Sequence, residues 1–179
     1  ADVLENLEKT AFVGYTKLET ETNITALVKD GARVESAETG DDIVLTLAET
    51  PFYAESGGQV GDTGVIQTDS CTIQVLDTTK NVSGVYMHKA VVKEGFVRAG
   101  DTAHAAVDAE RRFAIMRNHT AAHLLQAALR TVLGDHVEQA GQLVNEQAVR
   151  FDFTHFSALT DDELLAVEKL VNEKILENI

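Results

Sequence analysis

RNHTAAHLLQ, residues 117–126, sets two histidines four positions apart within a helical pattern. On an α-helix, positions i and i+4 share one face with their Cβ atoms about 5–6 Å apart, so two such side chains can hold one metal ion. A helical projection of residues 113–133 has a polar side, made of His119, His123, Gln126 and Arg130, and an apolar side, made of Ala121, Leu124, Leu125, Ala128 and Val132. We therefore expect both histidines to lie outside the apolar stripe, either as metal ligands or as solvated side chains.

A zinc ion would need more ligands than this pair supplies, since zinc normally takes three or four from the protein. The single cysteine, Cys71, excludes an internal disulfide and leaves no Cys-x-x-Cys or Cys-x-x-x-His pattern to complete a site. Metalloproteases with this histidine spacing carry Glu directly after the first histidine, whereas this chain has Thr120 there. The protease class is therefore excluded, and the candidates for a third ligand are His104, His136 and His155.

Composition limits the class of protein further. The formal net charge of −14 argues against an extended phosphate-binding surface, and so against DNA as a partner. No apolar run approaches the ~18 residues of a membrane span and no signal peptide is evident, so we expect a cytoplasmic protein without membrane contacts. One group of arginines departs from this acidity: Arg111, Arg112, Arg117 and Arg130. These side chains either contact a short nucleic-acid end or are ordinary solvated charges on a helix.

The order of the patterns predicts an α+β fold. Residues 1–10 are expected to be the end of an upstream helix, because Val3, Leu4 and Leu7 have helical spacing. Short alternating runs separated by turn residues fill residues 11–107 and predict an antiparallel β-barrel. Residues 108–179 are expected to form the first part of an α+β layer.

Local signals set the elements of that second layer. Asp108 is a candidate N-cap and Gly134 a candidate C′ residue for one helix, and Asn118 is a candidate break within it. Two extended runs at 135–144 and 149–153 follow. Thr160 and Glu163 form a capping box ahead of the last helix, which is still helical in pattern at the end of the chain.

One segment interrupts the strand pattern of the barrel. TPFYAESGGQVGDTG, residues 50–64, contains the only proline and four of the twelve glycines. It is either a long turn between strands or a binding loop, because glycines let another backbone or a ligand approach closely.

Three ordered motifs, TPFYAESGGQVGDTG (50–64), RNHTAAHLLQAALRTVLGDHVEQAG (117–141) and RFDFTH (150–155), resemble the alanyl-tRNA synthetase family in the region that contains its editing domain. The resemblance implies a β-barrel followed by the first part of an editing domain that hydrolyses tRNA(Ala) wrongly charged with serine or glycine. The partner would be the acceptor end of tRNA(Ala). ATP-dependent alanylation, with ATP and Mg²⁺, would reside in a region absent from this chain.

The same resemblance implies roles for particular residues. His119 and His123 match half of a zinc site, Gln139 and Gln59 are the candidate catalytic side chains, and the candidate substrate-binding residues are Gly57, Gly58, Gln59, Asp62, Arg117 and Ala122. Ala122 stands where many members have Thr, and Gln142 where many have Ser, which leaves serine recognition open. The family's Cys-x-x-x-His ligands would lie beyond Ile179, so we expect the chain alone to hold little zinc and to have little deacylase activity. The rival readings are a free-standing editing deacylase and a non-catalytic domain that positions tRNA.

Overall fold

The computed structural model describes residues 2–155 and 157–177. Its elements, in chain order, are β1 (Ala11–Phe12), β2 (Glu19–Lys29), β3 (Ala32–Val34), β4 (Ser36–Glu38), β5 (Asp42–Leu47), β6 (Glu49–Thr50), β7 (Gly64–Thr68), β8 (Cys71–Lys80), β9 (Tyr86–Arg98), β10 (Thr102–Val107), α1 (Ala109–Leu133), β11 (Gln139–Val144), β12 (Val149–Phe153) and α2 (Asp161–Glu177). Within the described ranges, neither helix has the length and apolar character needed to cross a membrane.

The chain divides into two compact units. The first comprises the residues up to Ser56 together with Val60–Arg112, and the second comprises Gly57–Gln59 together with the residues from Phe113 onward. The short segment Gly57–Gln59 thus belongs with the second unit, although both of its flanks belong to the first.

The first unit is a closed antiparallel barrel of six strands. The order is β10-β7-β8-β9-β5-β2, and pairing of β10 with β2 closes the ring, with Ala103 opposite Thr22 and Ala105 opposite Thr20. This confirms the predicted barrel and the α+β class. The strands β3 and β4 pair at its edge, with β2 and β9 respectively.

Alternation of side chains along the strands builds the barrel interior. In β2, buried and exposed positions alternate over most of the strand. The exposed residues are Glu19, Glu21, Asn23 and Thr25, and the buried ones between and after them are Thr20, Thr22, Ile24 and Ala26. Aliphatic side chains from all around the ring fill the inside, including Ile24, Leu45, Ile66, Ile73 and Val92. Each such side chain stabilises the fold by about 1.5–3 kcal/mol relative to exposure.

One histidine is built into this interior. His88 is fully buried, its Nδ1 donates to the Leu45 carbonyl at 2.9 Å, and its Nε2 accepts from the Thr50 hydroxyl at 2.8 Å. The Phe52 amide donates to the same threonine oxygen at 3.2 Å. Burial lowers the pKa of His88 from 6.5 to about 4, so the ring is neutral near pH 7.

The helix predicted over residues 1–10 does not form in residues 2–10, which are the part of this segment that the structure describes. Residues 3–6 form turns, and Asn6 has a left-handed φ of 68° that no helix continues through. Leu4 and Leu7 pack instead against a cluster that contains Ala26, Val28 and Val85. The spacing that imitates a helix therefore reflects contacts with the outside of the barrel.

The long helix α1 has the predicted ends. The Arg111 amide donates to the Asp108 side chain at 3.1 Å, and Gly134 has a φ of 114°. The division predicted at Asn118 does not occur, since that amide side chain bonds outside the helix and does not compete for its backbone.

The second unit packs α1 and α2 with the antiparallel hairpin β11–β12. Its buried centre consists of Ala128, Leu129, Val137 and Val167. The predicted capping box of α2 is confirmed, because the Thr160 amide donates to Glu163 at 2.9 Å and the Glu163 amide donates to the Thr160 hydroxyl at 3.2 Å. These exchanges fix the start of α2.

Candidate functional site

The two histidines of α1 converge on one point. The Nε2 atoms of His119 and His123 lie 3.1 Å apart, and their rings meet at 84° with centroids 4.7 Å apart. Two imidazole nitrogens on one tetrahedral zinc, each about 2.0–2.1 Å from the metal, lie about 3.3 Å from each other. The pair therefore has the donor spacing of two ligands to one ion.

The surroundings of the pair favour its neutral form. His119 is half-buried, and burial, followed by the neighbouring charge of His123, lowers its pKa. Neutral imidazole is the form that binds a metal. The Nδ1 atom of His119 is buried and has no hydrogen-bond partner among the described residues, whereas a metal-bound histidine usually donates this N–H to a carbonyl or carboxylate. The donor atoms fit zinc, but the described residues provide no hydrogen-bond acceptor for the Nδ1 atom of His119.

A third ligand does not join the pair within residues 2–155 and 157–177, where no group of three or more His, Cys, Asp or Glu could hold a metal. His104 belongs to the first unit and bonds Glu21 and Glu19. His136 and His155 contact each other, with Nε2 2.9 Å from Nδ1. The described residues thus supply two of the ligands that zinc needs.

The glycine-rich segment Gly57–Gln59 lies along β11. The Val144 amide donates to the Gly58 carbonyl at 3.0 Å, and Gln59 forms a parallel bridge with Val144. Gly58 has a φ of +83°, and a Cβ there would collide with the Gln142 carbonyl. Glycine is therefore required where this backbone touches the strand.

Asn118 connects the histidine helix to the same end of β11. Its side-chain amide donates to the Asn145 carbonyl at 2.6 Å, directly after the residue that bonds Gly58. The structure thus brings the turn that carries His119 and the glycine segment to one end of one strand.

Gln139, the other candidate catalytic residue, opens β11 and is exposed. Gly58 contacts the strand at Gln142, three residues after Gln139. About 10 Å of strand therefore separates the backbone of Gln139 from that of Gln142. Arg117 is exposed on α1, and Ala122 on the same helix is only 1% exposed.

Asp62 lies in the first unit, where it is 2% exposed. Its carboxylate forms an ion pair with Arg112, accepts the Arg112 Nε–H at 3.0 Å and accepts the Tyr53 amide at 2.7 Å. Both readings of Arg112, as a nucleic-acid contact or a solvated charge, are wrong because the guanidinium is buried in this pair. Arg111 donates to the Gly61 carbonyl at 2.9 Å.

The comparison with known proteins agrees with the motifs. Residues 1–111 match the family described as tRNA synthetases class II (A). This match covers more than half of the chain, and the chain belongs to that family.

The similar proteins are alanine–tRNA ligases. One from Acetivibrio thermocellus is 49% identical over 176 residues, which is 98% of this chain and 20% of the relative. Those of Desulfitobacterium hafniense and Staphylococcus aureus are 48% identical over 173 residues and 47% identical over 180 residues, covering 97% and 100% of this chain. The resemblance to the alanyl-tRNA synthetase family is confirmed, and the chain spans about 20% of the length of these relatives.

Proposed function

We propose that this chain forms part of the editing site of an alanine–tRNA ligase and contributes to hydrolysis of Ser-tRNA(Ala) and Gly-tRNA(Ala). A synthetic pocket for alanine rejects glycine and serine only weakly, because they differ from alanine by a methyl group or a hydroxyl, so a second hydrolytic site is needed. The observation that carries the proposal is the 3.1 Å approach of the His119 and His123 Nε2 atoms. It is supported by the position of Gly58 against β11 and by the bond from Asn118 of α1 to Asn145, the residue that follows β11.

In this proposal His119 and His123 hold a zinc ion. When bound, zinc lowers the pKa of a water molecule or orients the terminal adenosine of the tRNA. The backbone of Gly57, Gly58 and Gln59 lines the path of the tRNA end, and the Gln59 and Gln139 side chains contact the ester. Arg117, exposed on α1, meets a phosphate of the acceptor end.

Two other proposed residues, Asp62 and Ala122, shape the site but take no part in the hydrolysis itself. Asp62 acts by holding the backbone before the glycine segment, since its carboxylate is occupied by Arg112 and the Tyr53 amide. Ala122 is 1% exposed and has no hydroxyl, so this position offers the amino acid no hydrogen bond.

The synthetic reaction is proposed for the part of the ligase outside this chain. Alanylation of tRNA(Ala) with ATP and Mg²⁺ is proposed for the remaining four-fifths of the length seen in the relatives. A cytoplasmic location follows from a role in protein synthesis.

The isolated chain is expected to hold little zinc, because two imidazoles form an open site. Elemental analysis after exhaustive dialysis measures this directly. Stoichiometric zinc that disappears in His119→Ala would contradict the expectation and would mean that residues of this chain complete the site.

The test of the function is release of serine and glycine from mischarged tRNA(Ala) by the full-length ligase that contains this chain. His123→Ala is expected to reduce release by at least about a hundredfold, as for loss of a catalytic metal, while alanylation is unchanged. Thr120→Ala is the control, because Thr120 is exposed on the same helix and its hydroxyl bonds the Met116 carbonyl within that helix. Equal release by wild type and His123→Ala would sink the proposal.

A second function, positioning of tRNA without catalysis, is favoured by the finding that only two ligands converge among the described residues. It predicts that the full-length protein binds tRNA(Ala) but releases no serine or glycine. A free-standing deacylase would instead be encoded by a reading frame much shorter than those of the ligases.

A further inference from the structure

The residues from Tyr53 to Asp62 form a loop of ten residues whose two ends bond each other. The Asp62 amide donates to the Tyr53 carbonyl at 2.9 Å, and the Tyr53 amide donates to the Asp62 carboxylate at 2.7 Å. We call this segment loop 53–62 and these two residues its base. The base lies in the first unit, whereas the tip, Gly57–Gln59, belongs to the second.

Arg112 holds this base from the start of α1. Its Nε donates to the Asp62 carboxylate at 3.0 Å, and its Nη2 donates to the same carboxylate and, at 2.5 Å, to the Pro51 carbonyl. Its Nη1 donates to the Gly14 carbonyl at 2.8 Å. A guanidinium presents its donors in fixed directions, which the single ammonium group of lysine cannot reproduce. One side chain therefore fixes three points of the fold around the base.

Both partners of this ion pair are buried, since Arg112 is 8% and Asp62 2% exposed. Removing two charges from water is costly, and apolar residues of similar volume often stabilise a protein as well or better. A buried ion pair is therefore weak evidence for a role in stability. The bonding directions of Arg112 favour a geometric role instead, which is to set how the two ends of loop 53–62 meet.

A buried threonine of the barrel fixes the loop close to its base. The Thr78 carbonyl accepts the Glu55 amide at 2.9 Å, and the Thr78 hydroxyl donates to the Asp62 carbonyl at 3.0 Å. Thr78 lies in β8 and is fully buried. The strand β8 thus holds both the part of the loop that leads to the tip and the residue that ends the loop.

Arg111 holds the part of the loop that follows the tip. Its Nη1 donates to the Gly61 carbonyl at 2.9 Å. A Cβ at Gly61 would collide with the Thr78 carbonyl, so the backbone there packs directly on β8. Only Val60 separates Gly61 from Gln59, and two trans peptide units span at most about 7.6 Å between Cα atoms. A shift of the base therefore moves the tip as well.

The tip reaches β11 through backbone contacts. The Val144 amide donates to the Gly58 carbonyl at 3.0 Å, and Gln59 forms a bridge with Val144. Hydrogen bonds between neutral groups stabilise less than hydrogen bonds to charged groups. The ion pair at the base is therefore the stronger restraint on where the tip can lie.

We propose that Arg112 is a positioning residue: through Asp62 it fixes the base of loop 53–62 and so places Gly58 and Gln59 against Val144. Arg112 acts through the loop, since its guanidinium is buried in the first unit. The consequence for catalysis rests on the proposed function, in which the Gln59 side chain contacts the ester. Placement of the tip requires no hydrolysis and is measured separately.

Hydrogen exchange of the Val144 amide in this chain measures the placement of the tip. Arg112→Lys keeps the charge but loses the bonding directions, so the tip is expected to leave β11 more often. Exchange of the Val144 amide is expected to be about tenfold faster, the effect of losing one hydrogen bond to a charged group. The Asn145 amide donates to the Ala148 carbonyl within the hairpin and is the internal reference, whose exchange is expected to stay the same.

Steady-state deacylation by the full-length ligase measures the catalytic consequence. Arg112→Lys is expected to lower kcat for release of serine and glycine at least about tenfold, because a small misplacement of a contacting group reduces the rate. KM is expected to change by less than about twofold, since binding energy is largely retained. Arg111→Met leaves the ion pair in place and is expected to change the exchange rate of Val144 and kcat in the same directions, but less.

The matched control is a variant that destabilises the barrel without touching the loop. Val92 is 1% exposed in the barrel interior, and Val92→Ala leaves a cavity there. Urea unfolding compares its stability with that of Arg112→Lys. Val92→Ala is expected to keep the wild-type exchange rate of Val144 and the wild-type kcat. If Arg112→Lys does not fold, Arg111→Met carries both measurements.

Equal exchange rates of the Val144 amide in wild type and Arg112→Lys would overturn the inference. Equal acceleration of the Val144 and Asn145 amides would also overturn it, because it would reflect a general loss of stability. Faster exchange of Val144 with an unchanged kcat would refute the catalytic consequence. A wild-type ligase that releases neither serine nor glycine would refute the proposed function, and the exchange of Val144 would then decide the inference alone.

Discussion

Two adjacent glycines, Gly57 and Gly58, have the same kind of backbone but different surroundings. Both have positive φ, at 57° and 83°. A Cβ at Gly57 would meet nothing within 4 Å, whereas one at Gly58 would strike the Gln142 carbonyl. Contact with β11 therefore depends on Gly58 in particular.

We expect Gly58→Ala to detach the segment from β11 and Gly57→Ala to leave it in place. Both substitutions cost about 1–2 kcal/mol for a left-handed residue, but only Gly58→Ala adds the steric clash. Hydrogen exchange of the Val144 amide, which donates to the Gly58 carbonyl, measures the difference. Equal exchange rates in the two variants would show that the clash has no consequence.

Side-chain partners far apart in sequence are the part of the site that could not be predicted. Asp62 and Arg112 are 50 residues apart, and no local pattern joins them. Their roles as a polar loop residue and a helix charge were plausible because each type is usually exposed. The tertiary fold of the first unit brings them together and buries the pair.

Among the elements, α2 begins with a capping box that can be removed without touching the core. Thr160→Ala is expected to destabilise the second unit by about 1 kcal/mol, because the Glu163 amide loses its acceptor. Thr160→Ser keeps the hydroxyl and is the control. Urea unfolding followed by far-ultraviolet circular dichroism measures both, and an unchanged midpoint for Thr160→Ala would contradict the cap.

Local signals predicted most elements because they act locally. GVIQT and VRFDF correspond to β7 and β12 residue for residue, since alternation and turn residues bound them on both sides. The helix predicted at residues 1–10 failed because tertiary contacts of Leu4 and Leu7 produced the same spacing. The division at Asn118 failed because its side chain has a partner in another element.

For the whole molecule, His88 makes stability depend on pH. Its folded pKa of about 4 lies below the ordinary 6.5, so its full contribution is present above pH 6.5 and is lost as pH falls toward 4. The loss is about 3 kcal/mol. His88→Gln is expected to be less stable at pH 7 but to lose this acid dependence, as measured by urea unfolding between pH 4 and 7. Parallel pH profiles for variant and wild type would contradict the assignment.

His104, on the barrel surface, makes stability depend on pH in the opposite direction. The hydrogen bonds that His104 donates to Glu21 and to Glu19 raise its pKa, so its contribution is complete below pH 6.5 and is lost as pH rises through the folded value. Because this side chain is 38% exposed, the effect is small compared with that of His88. His104→Gln thus serves as a control whose pH profile changes in the other direction.

The fold class and the histidine pair were predictable because periodicity and spacing encode them. Closure of β10 on β2 and the position of Gly57–Gln59 beside β11 were not, since both depend on pairings between distant segments. Completion of a metal site depends on such pairings as well.

The most direct measurement of the central claim is the zinc content of the full-length ligase and of its His119→Ala, His123→Ala double variant. We predict one zinc per chain at these histidines in the wild type and its loss in the double variant, with alanylation retained. Full retention of zinc in the double variant would contradict the account.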